Sequence, residues 1–350
     1  MRQSENSLYK NVLQFGLCLL ITGIIINFLL YGYYRRPPKI VVQAATDKIW
    51  AANSLIIDRT EGFGTVRTDA NGYNNTFLPS DVDNYILLMG SSHTQAINVD
   101  QDENYACLLT QRLHQAGINS SVYNVGFDGN EFVTVIQHFK AAMEQFDDAQ
   151  AIIIEMYKVD YTAQKLRDAI SRQRDYDSAV GHSEETMNER IVNFVQAMPL
   201  ARLVYSRLDT FRIDVSGAFI AKHPEAQPAQ QCPPDYQDAI NEVMATLKEQ
   251  AGGRDIILLY NPMMQLEKDG TVIAEPHPEQ IEAIARACAA EDIYFHDMTD
   301  SYLNLYTGHW QAAHGFANSK IVSGHLNPNG HRAIADDLYE IVSSLWYGVD

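Results

Sequence analysis

The sequence predicts an α/β chain, a three-layer α/β/α sandwich around a mostly parallel five-stranded sheet, preceded by one membrane-crossing helix. Three observations predict it. Short apolar runs alternate with segments of helical period, which implies right-handed crossovers and a sheet covered on both faces. One stretch near the N-terminus is almost uncharged for about 20 residues, the length that spans a bilayer. The overall composition, 46% hydrophobic and 20% charged over 350 residues, is that of a globular protein and excludes disordered and fibrous classes.

The apolar stretch runs from Phe15 to Tyr34, interrupted only by Thr22, Asn27 and a few glycines. Tyr31, Tyr33 and Tyr34 suit a membrane interface, and Arg35-Arg36-Pro37-Pro38 anchors and ends the helix. A cleaved signal with a site near Ala44-Ala45 is the competing reading. The run is too long for a signal core and no small-x-small site directly follows it, which favours an uncleaved signal-anchor. Arg2 and Lys10 precede the run while Arg35, Arg36 and Lys39 follow it, so the charge count leaves orientation open. Residues 1–40 are therefore read as tail and anchor, 41–80 as an irregular linker, and 81–350 as one domain.

Within that domain, strands are expected at Tyr85 to Met89, Ser121 to Val125, Ala151 to Met156, Asp255 to Tyr260 and Ile293 to His296. Helices are expected at Glu103 to Gln115, Phe132 to Phe146, Asp235 to Gln250, Pro278 to Ala290 and Pro328 to Trp346. The interval 159–234 breaks the alternation with a charged stretch, an amphipathic stretch and a Pro- and Gln-rich loop. It reads as an insertion, either a lid or extra helices packed on an edge.

Two segments more than 230 residues apart carry the chemistry. Leu88 to Thr94 reads Leu-Met-Gly-Ser-Ser-His-Thr and puts Ser92 just beyond the carboxyl end of a buried strand, where open α/β sheets hold their ligands. Gly324 to His331 reads Gly-His-Leu-Asn-Pro-Asn-Gly-His and puts His325 just before the last helix, whose first position suits Pro328. Together they look like a nucleophile and its base.

With Gly90-Ser91-Ser92, Tyr123 to Gly129 and His325 to His331 in view, the chain resembles the SGNH or GDSL hydrolase superfamily. The likeness covers about residues 80–160 and 250–350 and is strongest to the membrane-anchored branch linked to acylation of cell-surface polysaccharides and teichoic acids. The resemblance implies a flavodoxin-like SGNH fold, Ser92 as nucleophile, His325 as base, His331 as a structural residue, and an oxyanion hole from the Ser92 and Gly126 amides. Each such donor is worth ~3 kcal/mol of barrier. Two blocks depart from the pattern. Glu155-Met156-Tyr157-Lys158 lacks the family's Gly-x-Asn-Asp, leaving Tyr157 or Lys158 to line that space or serve as strand-end residues. Val322 stands where the acid normally lies. The imidazole still needs an acceptor, either a backbone carbonyl near Val322, which is preferred, or a carboxylate such as Asp297 or Asp300. His93 and Trp310, with His309 and His314, are candidates to line a substrate wall, with packing roles as the alternative.

The formal charge is −18, and because residues 1–40 hold five Lys or Arg against Glu5, the remainder carries −22. So acidic a domain repels nucleic acid and anionic lipid. Eleven histidines show no His-x-x-x-His, Cys-x-x-Cys or calcium-loop spacing, and glycine-rich nucleotide loops are absent, so no metal or cofactor is expected. Cys107 and Cys288 read as buried thiols, and loop residue Cys232 leaves one disulfide open. The expectation is serine-dependent acyl-ester chemistry, favouring O-acyl (O-acetyl) transfer on an extracytoplasmic glycan. The resemblance implies the extracytoplasmic placement and a multi-spanning membrane acyltransferase as partner. The alternatives are a plain carbohydrate or lipid esterase and a non-catalytic glycan-binding scaffold with a degenerate site.

Overall fold

The computed structural model describes residues 2–41, 45–46, 48–173, 198–201, 203–204, 232–233, 235–274 and 277–348. Helix α1 (Arg2–Leu29) and a 3-10 turn (Leu30–Gly32) lead into five short strands: β1 (Tyr34–Arg35), β2 (Lys39–Val41), β3 (Lys48–Trp50), β4 (Leu55–Asp58) and β5 (Thr65–Arg67). Then come β6 (Tyr85–Met89), α2 (Ser92–Gln95), α3 (Tyr105–Gln115), β7 (Ser121–Asn124), α4 (Phe132–Gln145), β8 (Ala151–Met156) and α5 (Ala163–Ser171). Beyond the insertion lie α6 (Tyr236–Gln250), β9 (Asp255–Tyr260), β10 (Met264–Leu266), β11 (Val272–Ala274), α7 (Pro278–Ala290) and β12 (Tyr294–Asp297). The chain closes with α8 (Thr299–His309), β13 (His314–Gly315), β14 (Ile321–Leu326) and α9 (Pro328–Tyr347).

The central sheet is wholly parallel, in the order β7-β6-β8-β9-β12. Its strands are apolar on both faces because both faces are covered. Leu87, Tyr123, Ile152, Ile154 and Leu258 pack towards α4, α5, α6 and α7. Ile86, Leu88, Val122, Ile153, Ile257 and Leu259 pack towards α3 and α9. Each such side chain contributes about 2 kcal/mol of apolar burial. The strand order reverses direction at β6, which therefore opens a crevice at its carboxyl end, and the turn Gly90-Ser91 carries the chain from there to Ser92.

Element boundaries move for local reasons. The helix expected from Glu103 starts at Tyr105, because the Asn104 side chain accepts the Cys107 N–H (2.9 Å) as its cap. The last sheet strand is shifted by one residue, to Tyr294–Asp297. The stretch 41–80, expected to be irregular, supplies β3, β4 and β5, which pair antiparallel with the strands just before it: β1-β4-β5 form one small sheet and β2-β3 another. Within the interval 159–234, α5 packs Leu166 and Ala169 into the core, while 174–197 and 205–231 lie outside the described residues. All four cysteines are free thiols, so the disulfide left open at Cys232 is not formed. The segment Lys10–Gly32, with mean hydropathy 2.3 and side chains open to the surroundings, is long and apolar enough to cross a membrane.

Candidate active site

The turn after β6 is shaped by a buried carboxylate. Glu155 sits in the otherwise apolar strand β8, 1% exposed. Its Oε2 accepts the Ser91 N–H (2.8 Å) and the Thr94 hydroxyl (3.1 Å), and its Oε1 accepts from Asn261 Nδ2 (3.2 Å). Tyr302 OH in turn donates to Asn261 Oδ1 (2.7 Å). Burial pushes the Glu155 carboxyl above its ordinary value, against the pull of these donors. Gly90 leaves room for this brace, since a Cβ there would lie 2.1 Å from Thr94 Oγ1 and 2.7 Å from Glu155 Oε2. Ser92 is thereby set as the first residue of α2, where its N–H has no acceptor within the helix.

His325 comes from the end of β14, fixed by the start of α9 two residues on. There Asn327 Oδ1 accepts the N–H groups of Asn329 (2.9 Å) and Gly330 (3.2 Å), and Pro328 occupies the first turn. The ring's Nε2 lies 3.1 Å from Ser92 Oγ and its Nδ1 2.7 Å from Glu61 Oε2. A carboxylate only accepts, so Nδ1 carries the proton and Nε2 is left to accept from the serine hydroxyl. Burial disfavours the charged ring, but the Glu61 hydrogen bond and charge outweigh it and hold His325 above the ordinary histidine value. Glu61 is correspondingly held low, its own burial being outweighed by His325.

The partner of the imidazole corrects the sequence expectation. It is neither a carbonyl near Val322 nor Asp297 or Asp300, but Glu61, from the hairpin between β4 and β5. Asp297 instead accepts the N–H (2.8 Å) and hydroxyl (2.6 Å) of Thr299, the first residue of α8. Val322 is buried in β14 with φ 69°, and the site takes its acid from across the molecule. Glu61 grips twice, since its Oε1 also accepts the His325 backbone N–H (2.9 Å). Gly324 makes that approach possible, because a Cβ there would lie 2.4 Å from Glu61 Oε1 and its φ is +98°. The hairpin is pinned by Asn318, which accepts from Gly62 N–H (2.9 Å) and donates to Arg59 O (3.0 Å), and by Asn98, which donates to Glu61 O (2.8 Å). At its base Arg36 pairs with the buried Asp58, whose Oδ1 accepts the Thr60 N–H (2.9 Å).

Gly126 also differs from expectation. Its N–H donates to Asn124 Oδ1 (2.8 Å), so this amide is engaged within its own loop. Its lack of a side chain serves packing: a Cβ would sit 2.5 Å from Thr94 Cβ. Of the expected pair of oxyanion donors, the Ser92 amide is the one with no helical acceptor. Tyr157 packs its ring on His93, 5.5 Å between centroids. Lys158 turns to Asp160 (3.6 Å) and the Tyr161 ring, which is not the role of an oxyanion donor. Trp310 is 81% exposed and its ring leans on Tyr306, 5.9 Å between centroids. His309 lines a different surface groove, with Asn304, Arg332 and Asp336.

Beneath the site lies a run of buried rings. His93 stands 5.5 Å from His325 and 5.6 Å from His314, and its Nδ1 accepts the Leu326 N–H (3.3 Å). His314 also meets Tyr302 edge-on, and neither of its ring nitrogens has a hydrogen-bond partner among the described residues. His331 stacks on Tyr105 and accepts its N–H (3.4 Å). Burial lowers all three histidines, His314 and His331 to about 3. Among the described residues no group of three or more His, Cys, Asp or Glu is arranged to hold a metal ion.

No family model and no curated protein matches the chain. Solved structures do. A lipase/acylhydrolase from Enterococcus faecalis aligns over 75% of this chain and 96% of its own, with TM-score 0.42 and 11% identity. The psychrotrophic esterase EstA from Pseudoalteromonas sp. aligns over 76% and 100%, with TM-score 0.39 and 13% identity. The acetyl xylan esterase AlAXEase aligns over 74% and 99%, with TM-score 0.38 and 16% identity. At this distance the likeness carries no inference about activity, which rests on the residues described above.

Proposed function

We propose that this chain is an SGNH-type serine esterase or O-acyltransferase, anchored by Lys10–Gly32, that works through Ser92, His325 and Glu61. The observation that carries the reading is the unbroken chain of hydroxyl, imidazole and carboxylate, 3.1 Å and 2.7 Å long, at the carboxyl edge of the sheet. His325 takes the Ser92 proton as Oγ attacks the acyl carbonyl, and Glu61 stabilises the imidazolium that forms. The developing oxyanion is met by the Ser92 N–H. The imidazolium gives that proton to the departing alcohol oxygen as the ester C–O bond breaks, leaving acyl-Ser92. Water or a sugar hydroxyl then attacks the acyl carbon while His325 takes its proton, and that proton passes to Ser92 Oγ as the serine–acyl bond breaks.

The acceptor separates esterase from transferase. The acidic composition favours a neutral acceptor, and the resemblance of Gly90-Ser91-Ser92 and His325 to His331 to the membrane-anchored branch implies an extracytoplasmic polysaccharide, with a multi-spanning acyltransferase as the acyl source. The test is to supply the full chain with an aryl acetate, with and without O-deacetylated polysaccharide. Acetyl appearing on the polysaccharide, and lost with Ser92→Ala, supports transfer. Free acetate alone, equally dependent on Ser92, makes the chain an esterase, and turnover that survives Ser92→Ala removes the proposal.

A further inference from the structure

The position of the site relative to the apolar helix is fixed by strand register. A single residue, Tyr33, separates the 3-10 turn Leu30–Gly32 from β1, so no linker lies between helix and domain. β1 pairs antiparallel with β4, with Tyr34 opposite Asp58, so the β4–β5 hairpin turns at the end of the small sheet where the helix enters. Tyr33 OH donates to Arg59 O (2.7 Å), tying that hairpin to the first residue beyond the apolar segment. The hairpin that touches Tyr33 is the one that carries Glu61.

At its tip the hairpin presents Phe63, 55% exposed, between the buried glycines 62 and 64. The ring is held out rather than loosely exposed: its backbone N–H donates to Asn98 O (3.0 Å), and Cβ atoms at the two glycines would lie 2.2 and 2.1 Å from the carbonyls of Asn98 and Ile97. Arg35 and Ile40, also exposed, lie on the strands next to the helix exit. A second segment reaches the same zone, since the Leu200 N–H donates to Asn27 Oδ1 (3.1 Å), five positions before Gly32 and thus about 8 Å below it along a helix.

We propose that the β4–β5 hairpin docks on the bilayer surface, with Phe63 seated at the boundary of headgroups and acyl chains, so that the Ser92 site opens beside the membrane and draws on membrane-borne esters. This rests on reading Lys10–Gly32 as a membrane span. An aromatic ring on a rigid tip is the residue type that settles at that boundary. The −22 charge of the remainder makes a zwitterionic surface the fitting one.

The experiment reconstitutes the full chain in phosphatidylcholine nanodiscs. Phe63→Trp is compared with the wild type, which supplies the background of Trp50, Trp310 and Trp346, using lipids brominated on their acyl chains. Docking predicts that most of the added emission is quenched, and that Phe63→Ser slows turnover of a vesicle-borne ester while leaving a water-soluble aryl acetate at the wild-type rate. Added emission untouched by bromolipid, or an equal effect of Phe63→Ser on both esters, overturns the docking. Flotation with vesicles separates the two readings: a chain that fails to float loses the span and the docking together, and a Phe63→Trp chain that floats with its added emission unquenched loses the docking alone.

Discussion

At the scale of single residues, Glu61 sets the basicity of His325. The ring must be neutral to accept the Ser92 proton, and its pKa is held above the ordinary 6.5 by the carboxylate in spite of burial. Reactivity should therefore climb as pH rises through that elevated value. In Glu61→Gln the charge is gone, so the acid limb moves to lower pH while the plateau falls about 10³-fold or more. The pH dependence of fluorophosphonate incorporation at Ser92 checks both shifts, and an unmoved acid limb would contradict the assignment. Ser92 and His325 were legible in the sequence because each sits in a local pattern, strand-then-turn or turn-then-helix. Glu61 was not, being 264 positions from His325 in a segment with no periodicity. Glu155 left a signal that could have been read: a lone acid inside Ala151–Met156 has to be hydrogen-bonded to be tolerated there.

At the scale of elements, the five parallel strands were readable because burial on both faces makes them continuous apolar runs. The small N-terminal sheet was not, because strands of two to four residues are too short to show alternation. That sheet still controls the site. Asp58 has a side chain 1% exposed, and although burial opposes ionisation its pKa is held below the ordinary value by Arg36. Arg36→Ala leaves this carboxylate unpaired and should cost about 3–5 kcal/mol in thermal or denaturant unfolding, with Ser92 reactivity falling alongside. In β14, Gly324→Ala would drive a methyl group onto Glu61 Oε1. It should reproduce the reactivity loss of Glu61→Gln while the far-ultraviolet circular dichroism stays that of the wild type. Wild-type reactivity in that variant would contradict the close approach at Gly324.

At the scale of the whole molecule, the buried histidines link the site to acid stability. His93, His314 and His331 have folded-state pKa values depressed below 6.5, so the unfolded chain binds more protons as pH falls. Their contribution to stability is present above about pH 6.5 and is lost progressively down to about pH 3. Glu155 and Asp69, raised by burial, and His325, held high by Glu61, work in the opposite direction, against the three lowered imidazoles and the lowered carboxyls of Asp58, Glu61 and Asp128. Unfolding midpoints should fall steeply between about pH 6.5 and pH 4, and His314→Phe should flatten that fall, since His314 has neither nitrogen bonded among the described residues. An identical pH dependence in the variant would show that His314 protonation does not drive the loss.

The most direct test of the Ser92–His325–Glu61 assignment is the intact mass of the full chain after reaction with a fluorophosphonate. One adduct is predicted, on Ser92, absent in Ser92→Ala and strongly slowed in His325→Ala. An unmodified wild-type chain, or an adduct that persists in Ser92→Ala, would contradict it.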